Sequence, residues 1–278
     1  MNNMNRYLSI ACIQYSSTKE ETLTLKNIKP LINQAIEIGA DLIALPECAT
    51  TLQENSLITR ALAKPESENL SLQTFIEIAR SNSIYFLVGS LPIKIRNKIA
   101  NRSFLIGPSG DILYKYDKIH LYDVILPNGD IFQESSTYTK GTKAIIATIF
   151  NSIKIGMTIC YDVRFPNLYW DLAQNGAEII MVPSAFSSIT GPVHWHTLLK
   201  ARAIETGCFI VAAAQTGHHQ CGRKTYGHSL IVSPWGEVME DANEKVGFIN
   251  CRINLDEVKK ARLAIPSLKS KKNYSTNF

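Results

Sequence analysis

At 278 residues, with 45% hydrophobic and 19% charged content, the chain can bury a large core, and one large α/β domain accounts for it as well as two small ones. No apolar run approaches the roughly 20 residues that span a bilayer, and the stretch Met1–Tyr15 lacks the basic-then-apolar order of a secretory signal, so a soluble, cytoplasmic protein with no membrane partner is expected. The net charge of +5 is local: Lys259, Lys260, Arg262, Lys269, Lys271 and Lys272 crowd the last twenty residues, the remainder is close to neutral, and nucleic acid is not an expected partner.

In chain order, Tyr7–Tyr15 reads as a strand and Thr18–Gly39 as a helix with Leu25, Ile28, Leu31, Ile32, Ala35 and Ile36 on one face. Asp41–Pro46 is a short buried strand that ends at Glu47. A helix over about Ser71–Asn82 and a strand Tyr85–Gly89 follow, then a hairpin of Ser103–Ile106 and Ile112–Tyr116 that leads to Lys118 and a long polar loop through Gly141. A second hairpin pairs Ala144–Phe150 with Lys154–Cys160, and Pro166 opens a helix with Leu168, Leu172 and Ala173 on one side. The remainder alternates strand Glu178–Pro183, a helix near His194–Thr206, strand Phe209–Ala214 and a hairpin at Pro234-Trp235-Gly236-Glu237.

The second half repeats the first. Gly39-Ala40-Asp41-Leu42-Ile43 recurs as Gly176-Ala177-Glu178-Ile179-Ile180, and Leu105-Ile106-Gly107-Pro108-Ser109-Gly110-Asp111 recurs as Ile231-Val232-Ser233-Pro234-Trp235-Gly236-Glu237. Two such units, each with one apolar sheet face, bury those faces against each other, which predicts a four-layer α-β-β-α sandwich. A single domain over residues 1–278 is expected, with a core of about 7–255 and a basic C-terminal tail over 256–278.

Six scattered cysteines without a CxxC pair describe a reducing compartment and no disulfide framework. Cys160 stands apart, because a cysteine at a strand-to-helix junction presents its sulfur beyond the sheet, near helix amides that favour a thiolate. Glu47 and Lys118 also follow strand ends, where α/β sheets place ligand sites. A thiol nucleophile, a carboxylate base and an ammonium that stabilises an oxyanion, with a backbone N–H such as that of Tyr161, make a set suited to attack on an amide carbonyl. Taken singly, each has an ordinary reading as a core cysteine, a solvated strand-end charge and a surface ion pair.

Together the motifs Leu45-Pro46-Glu47, Asp117-Lys118-Ile119-His120-Leu121-Tyr122-Asp123 and Cys160-Tyr161-Asp162-Val163-Arg164-Phe165-Pro166 resemble the nitrilase superfamily of carbon–nitrogen hydrolases, from about Leu8 to Ile253. The resemblance implies an α-β-β-α sandwich with Cys160 as nucleophile, Glu47 as general base and Lys118 as the oxyanion-stabilising acid. It also implies that Glu134, in Phe132-Gln133-Glu134-Ser135, orients the lysine and the substrate. Pro183-Ser184-Ala185-Phe186, Ile189-Thr190-Gly191-Pro192, His194-Trp195 and Tyr226-Gly227-His228-Ser229 narrow it to the Nit branch of amidases. That branch implies a small amide with a carboxylate on its acyl side: deaminated glutathione, cleaved to 2-oxoglutarate and cysteinylglycine, is the expected substrate, and 2-oxoglutaramate or another small acidic amide is the alternative. A nitrilase proper, or a non-catalytic binding protein of the same fold, are the alternatives.

Such substrates call for a further cation, and Arg164, four positions after Cys160, is the expected carboxylate fork. Pairing of Arg164 with Asp162 or another acid is its structural alternative, and in that case the anion site falls to Thr190 and the amides near His194. No cofactor or metal is expected, since GxGxxG, P-loop and metal-spaced His/Cys patterns are absent from the sequence. The His218-His219-Gln220-Cys221 loop reads as a solvated turn. Family members usually dimerise through outer helices, so a homodimer is expected, with Tyr169 or Trp170 near its interface.

Overall fold

The computed structural model describes residues 6–270 and Ser275, so Lys271 and Lys272 lie outside the described residues. The first half of the chain runs β1 (Tyr7–Gln14), α1 (Glu21–Glu37), β2 (Leu42–Ala44), α2 (Ser56–Leu62), α3 (Leu70–Asn82), β3 (Tyr85–Ile95), β4 (Lys98–Ile106) and β5 (Ile112–Asp117). A small hairpin follows, β6 (Asp123–Ile125) with β7 (Ile131–Gln133). The second half runs β8 (Ile145–Ile149), β9 (Ile153–Met157), α4 (Pro166–Gln174), β10 (Ile179–Met181), α5 (Gly191–Thr206) and β11 (Phe209–Ala212). It ends with β12 (Thr216–His218), β13 (Lys224–Tyr226), β14 (Leu230–Val232), β15 (Val238–Asp241), β16 (Gly247–Asn254) and α6 (Asp256–Ala264).

Two six-stranded sheets form the body, ordered β16-β1-β2-β3-β4-β5 and β8-β9-β10-β11-β14-β15. Read in those directions, both sheets pair antiparallel, parallel, parallel, antiparallel, antiparallel. The repeated sequence fragments are thus two copies of one topology. Period-2 alternation divides β1 cleanly: Leu8, Ile10 and Cys12 enter the core shared with the second sheet, whereas Ala11 and Ile13 pack with α1 and α3. On the far side Trp195, Leu199 and Ala203 of α5 and Leu168 and Leu172 of α4 cover the second sheet. The result is the expected α-β-β-α sandwich.

Local chemistry sets the helix ends. The Asn69 side chain accepts the Leu72 N–H at 2.9 Å and starts α3, whose Leu72, Phe75 and Ala79 form its buried stripe. Pro166 occupies the first turn of α4, where its missing N–H costs nothing.

Several expectations need correction. The strand expected over Lys154–Cys160 ends at Met157, and Cys160 opens a 3₁₀ turn instead. The long polar loop contains the β6–β7 hairpin, and α2 has no apolar stripe that would have announced it. His218–Cys221 is not simply a solvated turn: it closes the β12–β13 hairpin, and His219 is buried. The basic tail begins as α6, docked by Arg262, which donates to the carbonyls of Ala177 (2.6 Å) and Thr206 (3.1 Å). Tyr169 is fully buried, with its hydroxyl 3.0 Å from Thr158 Oγ1, and so is a core residue rather than an interface residue; Trp170 is half-buried.

Candidate active site

Glu47 stands where β2 runs out. The Leu45 N–H still donates to Leu87 O at 2.9 Å, which carries β2's pairing with β3 past the strand's end. This approach requires Gly89, because a Cβ there would lie 2.1 Å from Leu45 O and 2.3 Å from Pro46 O. The next residue, Cys48, takes a left-handed conformation at φ 55°. Its N–H donates to Ser90 Oγ at 3.0 Å, and the buried Gln215 amide donates to Glu47 O (3.0 Å) and Cys48 O (3.1 Å). The turn is held from both sides.

Cys160 is also left-handed, at φ 46°, a conformation that costs a non-glycine residue about 1–3 kcal/mol and persists only when its surroundings enforce it. Its N–H donates to Pro183 O at 2.9 Å. Fully buried Asp162 completes the turn, accepting from the Ile159 N–H (2.9 Å), the Tyr116 hydroxyl (2.7 Å) and the His120 N–H (3.0 Å). Asp162 thereby locks the cysteine turn to the segment that carries Lys118. It does not pair with Arg164.

The four charged and nucleophilic residues singled out from the sequence converge. Lys118 Nζ donates to Glu47 Oε1 and to Glu134 Oε2, both at 2.8 Å. Asn101, which sequence reasoning missed because it sits unremarkably inside β4, donates to Glu47 Oε1 and Glu134 Oε1, both at 3.0 Å. The Ala185 N–H donates to Glu47 Oε2 at 3.0 Å, and the Tyr122 N–H to Glu134 Oε2 at 2.6 Å. Glu47 is 5%, Lys118 2% and Cys160 8% exposed, so these interactions act in a low-dielectric site.

Burial alone would raise the Glu47 carboxyl, but the Lys118 ammonium outweighs it and holds the pKa below its ordinary value. Burial would likewise lower Lys118, yet Glu134 and Glu47 hold it well above the usual lysine range. Cys160 is pushed well above the usual thiol range by burial and by neighbouring Glu47, with Lys118 opposing. The resting site is therefore a carboxylate–ammonium pair beside a neutral thiol, not the thiolate anticipated from the helix terminus. The Tyr161 N–H has no hydrogen-bond partner among the described residues and is free to donate to an oxyanion.

A cavity of about 340 Å³ opens onto this group, and Arg164, Thr190 and Arg223 line it. Arg164 lies over the rings of Phe186 (5.3 Å) and Tyr161 (5.9 Å), and its Nη1 is 3.2 Å from His194 Nδ1. Thr190 Oγ1 is buried without a partner. Arg223 lies 5.3 Å over Phe132, a residue that sequence reasoning placed only as a neighbour of Glu134. Away from the cavity lining, His196, His228 and Asp241 bring donor atoms within 4.8 Å of one another. Asp241 bonds both histidines at 3.0 Å, which accounts for the grouping without a metal.

The profile described as Carbon-nitrogen hydrolase matches residues 9–263. The chain belongs to the carbon–nitrogen hydrolase family. Relatives of this hydrolase include a deaminated glutathione amidase of Synechocystis, 39% identical over 95% of this chain and 98% of that protein. An omega-amidase of Mus musculus is 33% identical over 95% of this chain and 94% of that protein. Among solved structures, the Caenorhabditis elegans NitFhit protein superposes with a TM-score of 0.89 at 33% identity, over 96% of this chain and 65% of the nematode chain. The chain is thus a hydrolase of the fold that its motifs resembled, and among the described residues no helix is long and apolar enough to cross a membrane.

Proposed function

We propose that this hydrolase is an amidase that cleaves deaminated glutathione to 2-oxoglutarate and cysteinylglycine through a thioester on Cys160. The observation that carries the reading is the meeting of a buried Glu47–Lys118 pair and Cys160 in a cavity that also holds Arg164, a guanidinium with no carboxylate partner among the described residues. The Synechocystis relative, a deaminated glutathione amidase that shares nearly the whole chain, supports it.

In this reading Arg164 takes the acyl-side carboxylate and sets the amide carbonyl over the sulfur. Glu47 accepts the thiol proton as Sγ bonds to the carbonyl carbon, and Lys118 Nζ with the Tyr161 N–H receives the oxyanion. Glu47 returns that proton to the leaving nitrogen as the C–N bond breaks, and the acyl group remains on Cys160 as a thioester. Glu47 then takes a proton from water, whose oxygen attacks the thioester, and the acid departs as the thiol is restored. Asn101 and Glu134 hold the lysine and the base in register throughout, and the Thr190 hydroxyl faces the substrate.

The enzyme is further read as one domain, cytoplasmic, and a homodimer. Cys160→Ala should remove at least about 10⁴-fold of turnover with the melting transition kept. Mass spectrometry of the enzyme acid-quenched during turnover should place the acyl adduct on residue 160; an adduct on Cys48 or Cys208 overturns the assignment. The omega-amidase reading, favoured by the murine relative, predicts instead that 2-oxoglutaramate is the better substrate in kcat/KM.

A further inference from the structure

Arg223 is the cavity cation that the mechanism leaves without a task. Its half-buried guanidinium has no carboxylate within ion-pair reach and no side-chain hydrogen bond among the described residues. Glu54, the remaining acid of the lining, is paired with Lys19. Arg223 is nevertheless held in place by a built turn. His219 lies buried with Nδ1 3.2 Å from Ser17 O and Nε2 2.8 Å from Thr225 Oγ1, and its N–H donates to Arg223 O at 2.8 Å.

The two unpaired arginines of the cavity stand at opposite ends of one run of aromatic rings. Arg164 lies over Tyr161, Tyr161 meets Tyr122 at 5.1 Å, Tyr122 meets Phe132 at 5.4 Å, and Arg223 lies over Phe132. Cys160 directly precedes Tyr161, so the scissile bond belongs near the Arg164 end. A guanidinium at the other end, unpaired and backed by an aromatic face, is poised for a second anion on the same ligand.

We propose that Arg223 binds a carboxylate on the leaving group, so that the cavity selects amides with an anion on each side of the scissile bond. This rests on the amidase reading above and deepens it. Deaminated glutathione carries such a pair, whereas 2-oxoglutaramate, whose leaving group is ammonia, has nothing to reach Arg223. Arg223 is then the residue that separates the two substrates, and the β12–β13 turn exists to present it.

The test compares the unaltered enzyme, Arg223→Gln and Arg223→Lys on three substrates: deaminated glutathione, its C-terminal carboxamide, and 2-oxoglutaramate. Loss of one charged hydrogen-bonded pair predicts that Arg223→Gln lowers kcat/KM on deaminated glutathione about 10- to 100-fold, mostly through KM. Turnover of the other two substrates stays unchanged, and Arg223→Lys, which keeps charge but not the fork, falls between. Equal losses on all three substrates, or an Arg223→Gln enzyme that still prefers the free acid over its carboxamide, overturn the proposal alone. No hydrolysis of deaminated glutathione by the unaltered enzyme overturns the amidase reading and this proposal together.

Discussion

Asn101 shows how little of a site's support is visible one residue at a time. It is a neutral amide inside a strand, 3% exposed, and its two N–H groups reach two carboxylates that would otherwise repel across a buried space. Asn101→Leu keeps the bulk and deletes both donors, leaving Lys118 as the one side chain among the described residues that bridges Glu47 and Glu134. We expect kcat to fall at least about tenfold and stability by about 1–3 kcal/mol, the cost of unmade hydrogen bonds to buried charge. Steady-state kinetics and urea melts measure the two, and an unchanged kcat would show that Asn101 does not position the acids. Arg164 teaches the converse: its pairing with Asp162 was plausible from sequence proximity alone, but Asp162 is already saturated by Tyr116, His120 and Ile159.

At the scale of elements, the site exists because strands stop early. β2 ends three residues before Glu47 and β9 three before Cys160, and in each case a left-handed residue turns the chain out of the sheet, Cys48 after the glutamate and Cys160 itself. Gly89 on β3 is what lets the first of these ends lie flush against its neighbour. Gly89→Ala should therefore destabilise the protein by about 3 kcal/mol, the upper end of the usual overpacking cost, since the clash is with backbone rather than with a side chain that could rotate away. The urea midpoint reads this directly, and any residual enzyme should show a depressed kcat because Glu47 shifts with Leu45 and Pro46. A wild-type midpoint would mean that the strand ends adapt at little cost.

For the molecule as a whole, the repeat leaves one outer helical layer with unspent surface. On α5, Val193 and Ile204 are 70% and 54% exposed, and eleven residues, about three turns, put them on one face. On adjoining α4, Trp170 is half-buried, so part of its ring adds to the same layer. Dimerisation through this layer predicts a dimeric mass by light scattering at micromolar concentration, and Trp170→Asp should return it to a monomer with the fold intact. A monomeric unaltered protein, or a Trp170→Asp dimer, would place the surface outside any interface.

The sequence by itself determined the layers and the chemistry. Apolar periodicities of 2 and 3.6 specify which face of each strand and helix is buried, and the repeated Gly-Ala-acid and Pro-x-Gly-acid turns marked the two equivalent halves. Glu47, Lys118 and Cys160 were legible because each follows the end of an apolar run, whereas Glu134 was legible only through the family resemblance. Only the tertiary structure decided how they interact. Asn101 and Arg223 became visible when strands and turns remote in the chain were brought to one cavity, since a lone amide or arginine has no local pattern. The protonation balance was likewise beyond local reading: a helix terminus favours a thiolate, but burial and the adjacent carboxylate, both consequences of packing, push the Cys160 thiol well above its ordinary pKa.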